Sequence, residues 1–251
     1  MNEEPEKKES SLTAIILLGV LVVVAWYSLA HGLQTLIVIE ARQWASANPF
    51  LNETPQPLAP PTGIAPASAR IEHFNYQFYV PWKPIDKDTE NPAYAEIRAK
   101  TGEVVVFFNP DAQIDMLQSM KSGSTPLARN YTQVFAGHPP DSNYALYNAV
   151  YSASPAQGAL LMPRQDALRL NMLLLWKLSF GLDARPGIYT FDWGGLRGIQ
   201  FGDPTKGPVA IRAFDNHDRQ FPFLFVTAAG SGAKLTQEII DQIVVSSRTA
   251  Y

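Results

Sequence analysis

Four segments near the C-terminus, in which apolar and polar residues alternate, constrain the fold more than any other feature of the chain. They read IYTFDW, LRGIQF, PVAIRAF and FPFLFVTA, and short turns at 194–195, 203–207 and 215–220 separate them. This alternation is typical of strands. Strands joined by such short turns must be antiparallel, because a parallel return needs a crossover of about a dozen residues or more. The sequence therefore predicts a four-stranded antiparallel meander.

The other elements of this domain are predicted to be strands before the meander and helices around it. The segment HFNYQFYVPW (73–82) alternates as one strand would, and EVVVFF (103–108) has the composition of a buried strand. Four segments have the apolar period or the starting residues of helices: 109–120, 142–153, 163–180 and 234–247. The predicted fold class is α+β, with a central antiparallel sheet that is flanked by helices and preceded by one transmembrane helix.

One predicted helix contains a stretch, NMLLLWKLSF (171–180), that is apolar nearly all the way round and is interrupted by Lys177. Such a helix is buried in the protein or lies in a membrane. The stretch is too short to span a bilayer. We therefore expect it to lie across the sheet, with a position in the membrane interface as the alternative.

The order of elements from residue 70 to residue 247 is similar to that of the α/β sandwich in the photosystem PsbP and Mog1 families. The resemblance rests on two N-terminal strands, helices, a meander and a C-terminal helix, and on an aromatic-rich strand that ends at Pro81-Trp82. It implies helices on either side of a central antiparallel sheet. That group contains accessory subunits and binding proteins with few enzymes, so the resemblance implies little about the specific function.

Leu12 to Ala30 form a run of 19 residues without a charge. A helix of about 20 apolar residues crosses the hydrocarbon core of a bilayer, so the run is predicted to be a single membrane anchor. A cleaved signal peptide is the alternative, although its apolar region is usually shorter. Lys7 and Lys8 precede the run and Arg42 follows it. This distribution favours a cytoplasmic N-terminus and an extracytoplasmic, periplasmic domain.

Composition divides the chain into four parts. Residues 1–11 are predicted to be a short cytoplasmic tail, and residues 12–39 the transmembrane helix with its extension. Residues 40–69 contain six prolines and are predicted to be an extended linker. Residues 70–251 are predicted to be a globular α/β domain.

The stretch DWGGLRGIQFGDP (192–204) has the glycine and arginine content of a loop that holds phosphate. Phosphate-binding loops lead from a strand into the N-terminus of a helix, whereas LRGIQF continues as a strand. We therefore interpret Gly194 and Gly195 as a two-residue hairpin turn, which needs positive φ angles. Gly198 in the next strand predicts a bulge or the close approach of another element, with residues 173–180 as the candidate.

Candidates for a metal site are few. The absence of cysteine excludes disulfides, thiolate nucleophiles, iron–sulfur clusters and cysteine-ligated zinc. Asp215, His217 and Asp218 form the one compact group of oxygen and nitrogen ligands, on a predicted hairpin tip. Aspartate is also a residue that turns favour, and a calcium loop needs more carboxylates. A turn is therefore the favoured interpretation, and no cofactor is expected.

Aromatic residues are the remaining candidates for a binding site. Alternation places Tyr189, Phe191 and Trp193 on one face of their strand, and Arg197 follows on the next strand. If one face of the sheet is open, these residues line a groove for a peptide, a lipid or a small molecule. If helices cover both faces, the aromatic residues are core. Asp192 and Arg197 either pair across the turn or form one rim of the groove.

We expect a binding function rather than catalysis, because no catalytic motif is present. The predicted protein is a single-pass membrane protein whose extracytoplasmic domain binds a protein partner in the membrane or envelope, or another ligand. A net charge of −3 gives no basic field, so no nucleic-acid partner is expected. The alternatives are an envelope hydrolase with an unrecognised carboxylate site and a structural accessory subunit of a membrane complex.

Overall fold

The computed structural model of the protein describes the following residues: 20–22, 32, 35–36, 38–62, 69–122, 131–135, 137, 139–159, 162–180 and 186–250. The strands in these ranges are β1 Gln56–Pro57, β2 Ala69–His73, β3 Tyr76–Val80, β4 Ile85–Glu90, β5 Tyr94–Ala99, β6 Glu103–Phe108, β7 Ile188–Trp193, β8 Leu196–Phe201, β9 Val209–Phe214, β10 Gln220–Thr227 and β11 Arg248–Thr249. The helices are α1 at 38–47, α2 Met116–Lys121, α3 Tyr131–Val134, α4 Asn143–Ser152, α5 Arg164–Phe180 and α6 Gln237–Val245.

The strands form an eight-stranded sheet and a three-stranded sheet. The order of the larger sheet is β1-β7-β8-β9-β10-β6-β5-β4, and the order of the smaller sheet is β11-β3-β2. The four alternating segments of the sequence are β7 to β10, and each of them pairs antiparallel with the next. At the edge of the larger sheet, the two-residue strand β1 pairs parallel with β7.

The predicted fold class is wrong in two respects. A transmembrane helix was expected before the sheet, whereas no helix along the described part of the chain is both long and apolar enough to cross a membrane. One antiparallel sheet was expected, whereas the structure is a mixed α/β fold with two sheets. The second sheet exists because residues 73–82, predicted to be one strand, turn back at Phe74 and Asn75.

The predicted anchor overlaps the described residues only in part. Residues 20–22 are described, and the rest of the run 12–30 lies outside the described residues. Further along, Val38, Ala41 and Ala45 of α1 are buried within the protein. Their spacing of three and four residues puts them on one face of the helix. The membrane, signal-anchor and single-pass descriptions are thus unsupported, and the extracytoplasmic location stays a prediction.

Part of the stretch 40–69, which was predicted to be a linker, belongs to the folded core. Pro49–Asn52 form a 3₁₀ helix whose Phe50 and Leu51 are buried. Proline is tolerated in the first turn of such a helix and in an edge strand, because its missing N–H removes no hydrogen bond there. The prolines around Gln56–Pro57 are therefore compatible with the edge position of β1.

Two apolar cores lie on opposite faces of the larger sheet. Side chains such as Phe201 and Phe214 pack against the helices α1 to α5 on one face. Phe191, Ile211 and Ala213 pack on the other face against α6 and the smaller sheet. Neighbouring residues of one strand thus enter different cores, because successive side chains of a strand point to opposite faces.

The helix predictions are confirmed at 142–153 and 163–180, which are α4 and α5. The helix expected from residue 109 is instead a 3₁₀ turn, and α2 begins only after Asp115, whose side chain accepts a hydrogen bond from the N–H of Gln118. The main helical neighbours of α5 are α3 and α4, and its buried side chains, such as Leu174 and Phe180, belong to the same core as Phe201 of the sheet.

Candidate functional site

The four residues of the predicted groove do not share one surface. Phe191 is buried beside α6, and Trp193 stacks on it with 4.5 Å between ring centroids. Tyr189 lines a separate cleft of about 290 Å³. Arg197 faces the helix side, opposite Phe214 of β9. The two-residue turn brings Arg197 opposite Asp192, whereas Phe191 points to the other face of the sheet, and a ligand groove at these residues stays a prediction.

The hairpin interpretation of the glycine-rich stretch is confirmed. Gly194 and Gly195 have φ angles of 65° and 78° and join β7 to β8, which is the backbone of a primed turn. Gly198 is the register partner of Phe191. A Cβ at Gly198 would lie 2.3 Å from Cζ of Phe191 and 2.6 Å from the carbonyl oxygen of Arg212. The close neighbour of this glycine is therefore the sheet itself and not α5.

The carboxylates of two of the three predicted metal candidates, Asp215 and Asp218, accept hydrogen bonds within the protein. Asp215 accepts hydrogen bonds from the backbone N–H groups of His217 and Arg219 and pairs with the Arg219 guanidinium at 2.6 Å. Asp218 instead caps α4, accepting from the N–H of Asn143 at 2.6 Å. Within the described ranges, no group of three or more histidine or carboxylate side chains is placed to hold a metal ion.

Two arginines and two tyrosines form the most unusual polar arrangement on the helix side of the sheet, and we call it the arginine–tyrosine site. The guanidinium carbon of Arg197 on β8 lies 5.0 Å from the centroid of the Tyr144 ring. The guanidinium carbon of Arg212 on β9 lies 5.2 Å from the centroid of the Tyr147 ring. Phe214 lies between the tyrosines, with centroid distances of 6.1 Å and 5.9 Å. Stacking of this kind holds a guanidinium over an aromatic face.

The tyrosines are placed by the capping of α4. The hydroxyl of Ser142 accepts a hydrogen bond from the N–H of Ala145. The carboxylate of Asp218, in the turn between β9 and β10, accepts hydrogen bonds from the N–H groups of Asn143 and Tyr144. These bonds satisfy donors that every helix N-terminus leaves free. The cap therefore ties the start of α4 to the β9–β10 hairpin and fixes Tyr144 and the tyrosine one turn later above the sheet.

The guanidinium groups of this site have no hydrogen-bond acceptor among the residues that the structure describes. Arg197 and Arg212 are half-buried, and among the described residues neither has a carboxylate oxygen within 4.0 Å. The Nε atom of Arg197 is buried without any hydrogen-bond partner. Asp192 is the register partner of Arg197, but the two form no ion pair. Since buried polar groups are nearly always paired, the unpaired Nε of Arg197 makes this site a candidate for an external acceptor.

The tyrosine hydroxyls contribute neutral donors to this site. Burial raises the pKa of Tyr144, with the Asp192 carboxylate adding to the effect and the Arg197 guanidinium opposing it. Burial likewise raises the pKa of Tyr147, and Arg212 opposes it. Both phenols therefore stay protonated around neutral pH, and the only positive charges of the site are the guanidinium groups.

This arrangement suits the recognition of an oxyanion. A guanidinium presents a planar fork of N–H donors that matches a carboxylate or a phosphate. The sequence identified Arg197 but not Arg212, which lies in the alternating segment PVAIRAF and faces the same side as Phe214. The one available signal was an arginine within an otherwise apolar strand segment, because arginine is mostly exposed in proteins.

Comparisons with protein-family models, with curated proteins and with solved structures found no match to this chain. The resemblance to the PsbP and Mog1 families therefore stays a prediction.

Proposed function

We propose that this protein is a binding domain that recognises a carboxylate or phosphate group of a partner molecule at the arginine–tyrosine site. The observation that supports the proposal is the pair of half-buried guanidinium groups, Arg197 and Arg212, without an acceptor among the described residues. Leaving charged donors without a partner costs more than leaving neutral ones. A bound oxyanion would satisfy them and offset that cost.

A binding role is favoured over the alternative of a hydrolase with a carboxylate site. Hydrolysis by paired carboxylates requires two acids that converge in one cleft. Three clefts lined by described residues each contain one acid: Glu53, Glu103 and Asp166. The role of a structural accessory subunit stays a prediction.

Titration with inorganic phosphate, and in a separate arm with acetate, tests the proposal. We expect the Nε–Hε resonance of Arg197 to shift on titration. Arg197→Gln and Arg212→Gln should each weaken binding by about 10-fold or more, because hydrogen bonds to charged groups contribute about 1.5–3 kcal/mol. The arm with the larger effect identifies the kind of oxyanion.

Arg70→Gln is the matched control, because Arg70 is exposed and pairs with Glu72 at 2.6 Å. It should bind the anion as the unchanged protein does. Equal binding by the Arg197→Gln/Arg212→Gln double variant and the control, with both folded by circular dichroism, would contradict the proposal.

A further inference from the structure

We infer that a second site, at the far end of the two-sheet sandwich, binds a small zwitterion with an apolar side chain, such as an α-amino acid. The site is a cleft of about 330 Å³, which is within the usual range for small-molecule sites. We call it the Trp82 cleft, and the residues that matter here are Trp82, Lys83, Lys100, Thr101, Glu103 and Ile239. It shares no residue with the arginine–tyrosine site and does not depend on the function proposed there.

Three parts of the fold meet at this cleft. Trp82 and Lys83 follow the end of β3, in the connection to β4. Lys100 and Thr101 form the turn between β5 and β6, and Ile239 comes from the first turn of α6. Strand ends from both sheets and one helix therefore enclose the cleft, so its shape is set by regular elements rather than by a long loop.

A carboxylate lies at the base of the cleft. Glu103 is 8% exposed, although charged residues are rarely buried without a partner. Its Oε2 accepts a hydrogen bond from the hydroxyl of Thr101. Its Oε1 has no hydrogen-bond donor within the described ranges, and it is not among the atoms that are both buried and unpaired. This oxygen is therefore open to the cleft and suits an ammonium group.

Two ammonium groups lie at the mouth of the cleft. Lys83 and Lys100 are exposed, and neither forms an ion pair with a described carboxylate. Their separation from Glu103 exceeds the 4.0 Å of an ion pair, so the acid and the bases do not neutralise each other directly. Negative charge at the base and positive charge at the mouth match a ligand that carries both signs.

The wall between these charges is apolar. Trp82 is 8% exposed and belongs to the core under α6, and Ile239 is half-buried beside it. A ligand whose ammonium contacts Glu103 and whose carboxylate contacts the lysines would place its side chain on this wall. A purely anionic ligand would be repelled by Glu103, and a purely cationic one by the lysines, because charges in a partly buried cleft are weakly screened.

Three matched probes test this assignment: L-leucine, 4-methylpentanoate, which lacks the ammonium, and 3-methylbutylamine, which lacks the carboxylate. In calorimetric titrations of the full chain, we expect L-leucine to bind at least about 10-fold more tightly than either single-charge probe, since each lost charged hydrogen bond is about 1.5–3 kcal/mol. Equal affinities for the three probes, or no binding of L-leucine, would overturn the assignment.

Variants of the cleft separate the two charges. Glu103→Gln keeps an acceptor for Thr101 and should weaken L-leucine binding without weakening 4-methylpentanoate binding. Lys100→Gln, at an exposed position, should weaken both probes and tests the site even if Glu103→Gln does not fold. Lys206→Gln, which lies in the β8–β9 turn, is the matched control. Arg197→Gln should leave L-leucine binding unchanged, which separates this site from the arginine–tyrosine site.

Discussion

Replacing Lys177 with alanine is expected to destabilise the protein by about 3–5 kcal/mol, as measured by urea unfolding. Lys177 is 0% exposed in the last turn of α5. Its ammonium donates to the backbone carbonyl groups of Leu51, Glu53 and Ala153. Alanine would remove these three bonds and leave a cavity where the lysine stem had been. The loss of the hydrogen bonds and the new cavity both destabilise the folded state, so this substitution is expected to be among the most costly in the chain.

Lys177→Met separates the contribution of the hydrogen bonds from that of packing, because methionine fills much of the volume without supplying a donor. We expect it to be less costly than Lys177→Ala. Lys87→Ala is the control for loss of a lysine, because Lys87 is an exposed residue of β4 that pairs with Glu96 at 3.1 Å. A loss of less than about 1 kcal/mol is typical of such a surface pair. Equal losses of unfolding free energy for Lys177→Ala and Lys87→Ala would contradict the inference that the buried hydrogen bonds of Lys177 stabilise the fold.

We expect the stability of the protein to depend on pH through the pKa of Lys177. Burial lowers the pKa of Lys177 from 10.5 to about 8, and the charge of Glu53 opposes the shift. Between these pH values the unfolded chain holds the proton more tightly than the folded one, so the stability contributed at this site rises with pH. The difference in unfolding free energy between the unchanged protein and Lys177→Met should therefore grow by about 3 kcal/mol from pH 8 to pH 10.5. A difference in unfolding free energy that stays constant over this pH range would contradict the lowered pKa of Lys177.

The second large effect is expected for Gly198→Ala, which should destabilise the protein by about 3 kcal/mol. The new methyl group would lie 2.6 Å from the backbone oxygen of Arg212 and 2.3 Å from the ring of Phe191. The phenyl ring can rotate away, but the backbone oxygen belongs to the neighbouring central strand and cannot move without breaking its pairing. Urea unfolding of the variant measures the loss.

Gly195→Ala is the matched control for this substitution. Its Cβ would meet nothing within 4 Å, although its φ angle is 78°. The expected cost is therefore the left-handed conformation alone, about 1–2 kcal/mol. If the two variants were equally stable, backbone crowding at Gly198 could not explain the loss of stability in Gly198→Ala.

Local patterns in the sequence were sufficient where the structure depends on neighbouring residues. The strand 103–108 and the hairpin at Gly194 and Gly195 follow from alternation and turn chemistry. Strands β4 and β5 were not predicted, because the charged residues in IDKDTE and YAEIRA interrupt the alternation of apolar and polar residues. β4 is an edge strand, and charges on an edge prevent pairing with other chains.

The candidate site was only partly predictable for a different reason. Arg197 was identified from its position beside a turn, but its neighbours come from β9 and α4. Arg212 stacks on Tyr147 and Arg197 on Tyr144. These contacts join residues more than fifty positions apart, and no periodicity in one segment specifies which helix lies above which strand.

The sequence by itself determined the antiparallel meander, the glycine turn and the positions of α4, α5 and α6, because short-range hydrogen bonding and side-chain period act within a few residues. Only the tertiary structure decided that Lys177 is a buried tie, that Phe191 and Arg197 lie on opposite faces, and that two guanidinium groups have no acceptor among the described residues. Burial and pairing depend on elements that are distant in the chain. Their free energies arise only when the layers pack together.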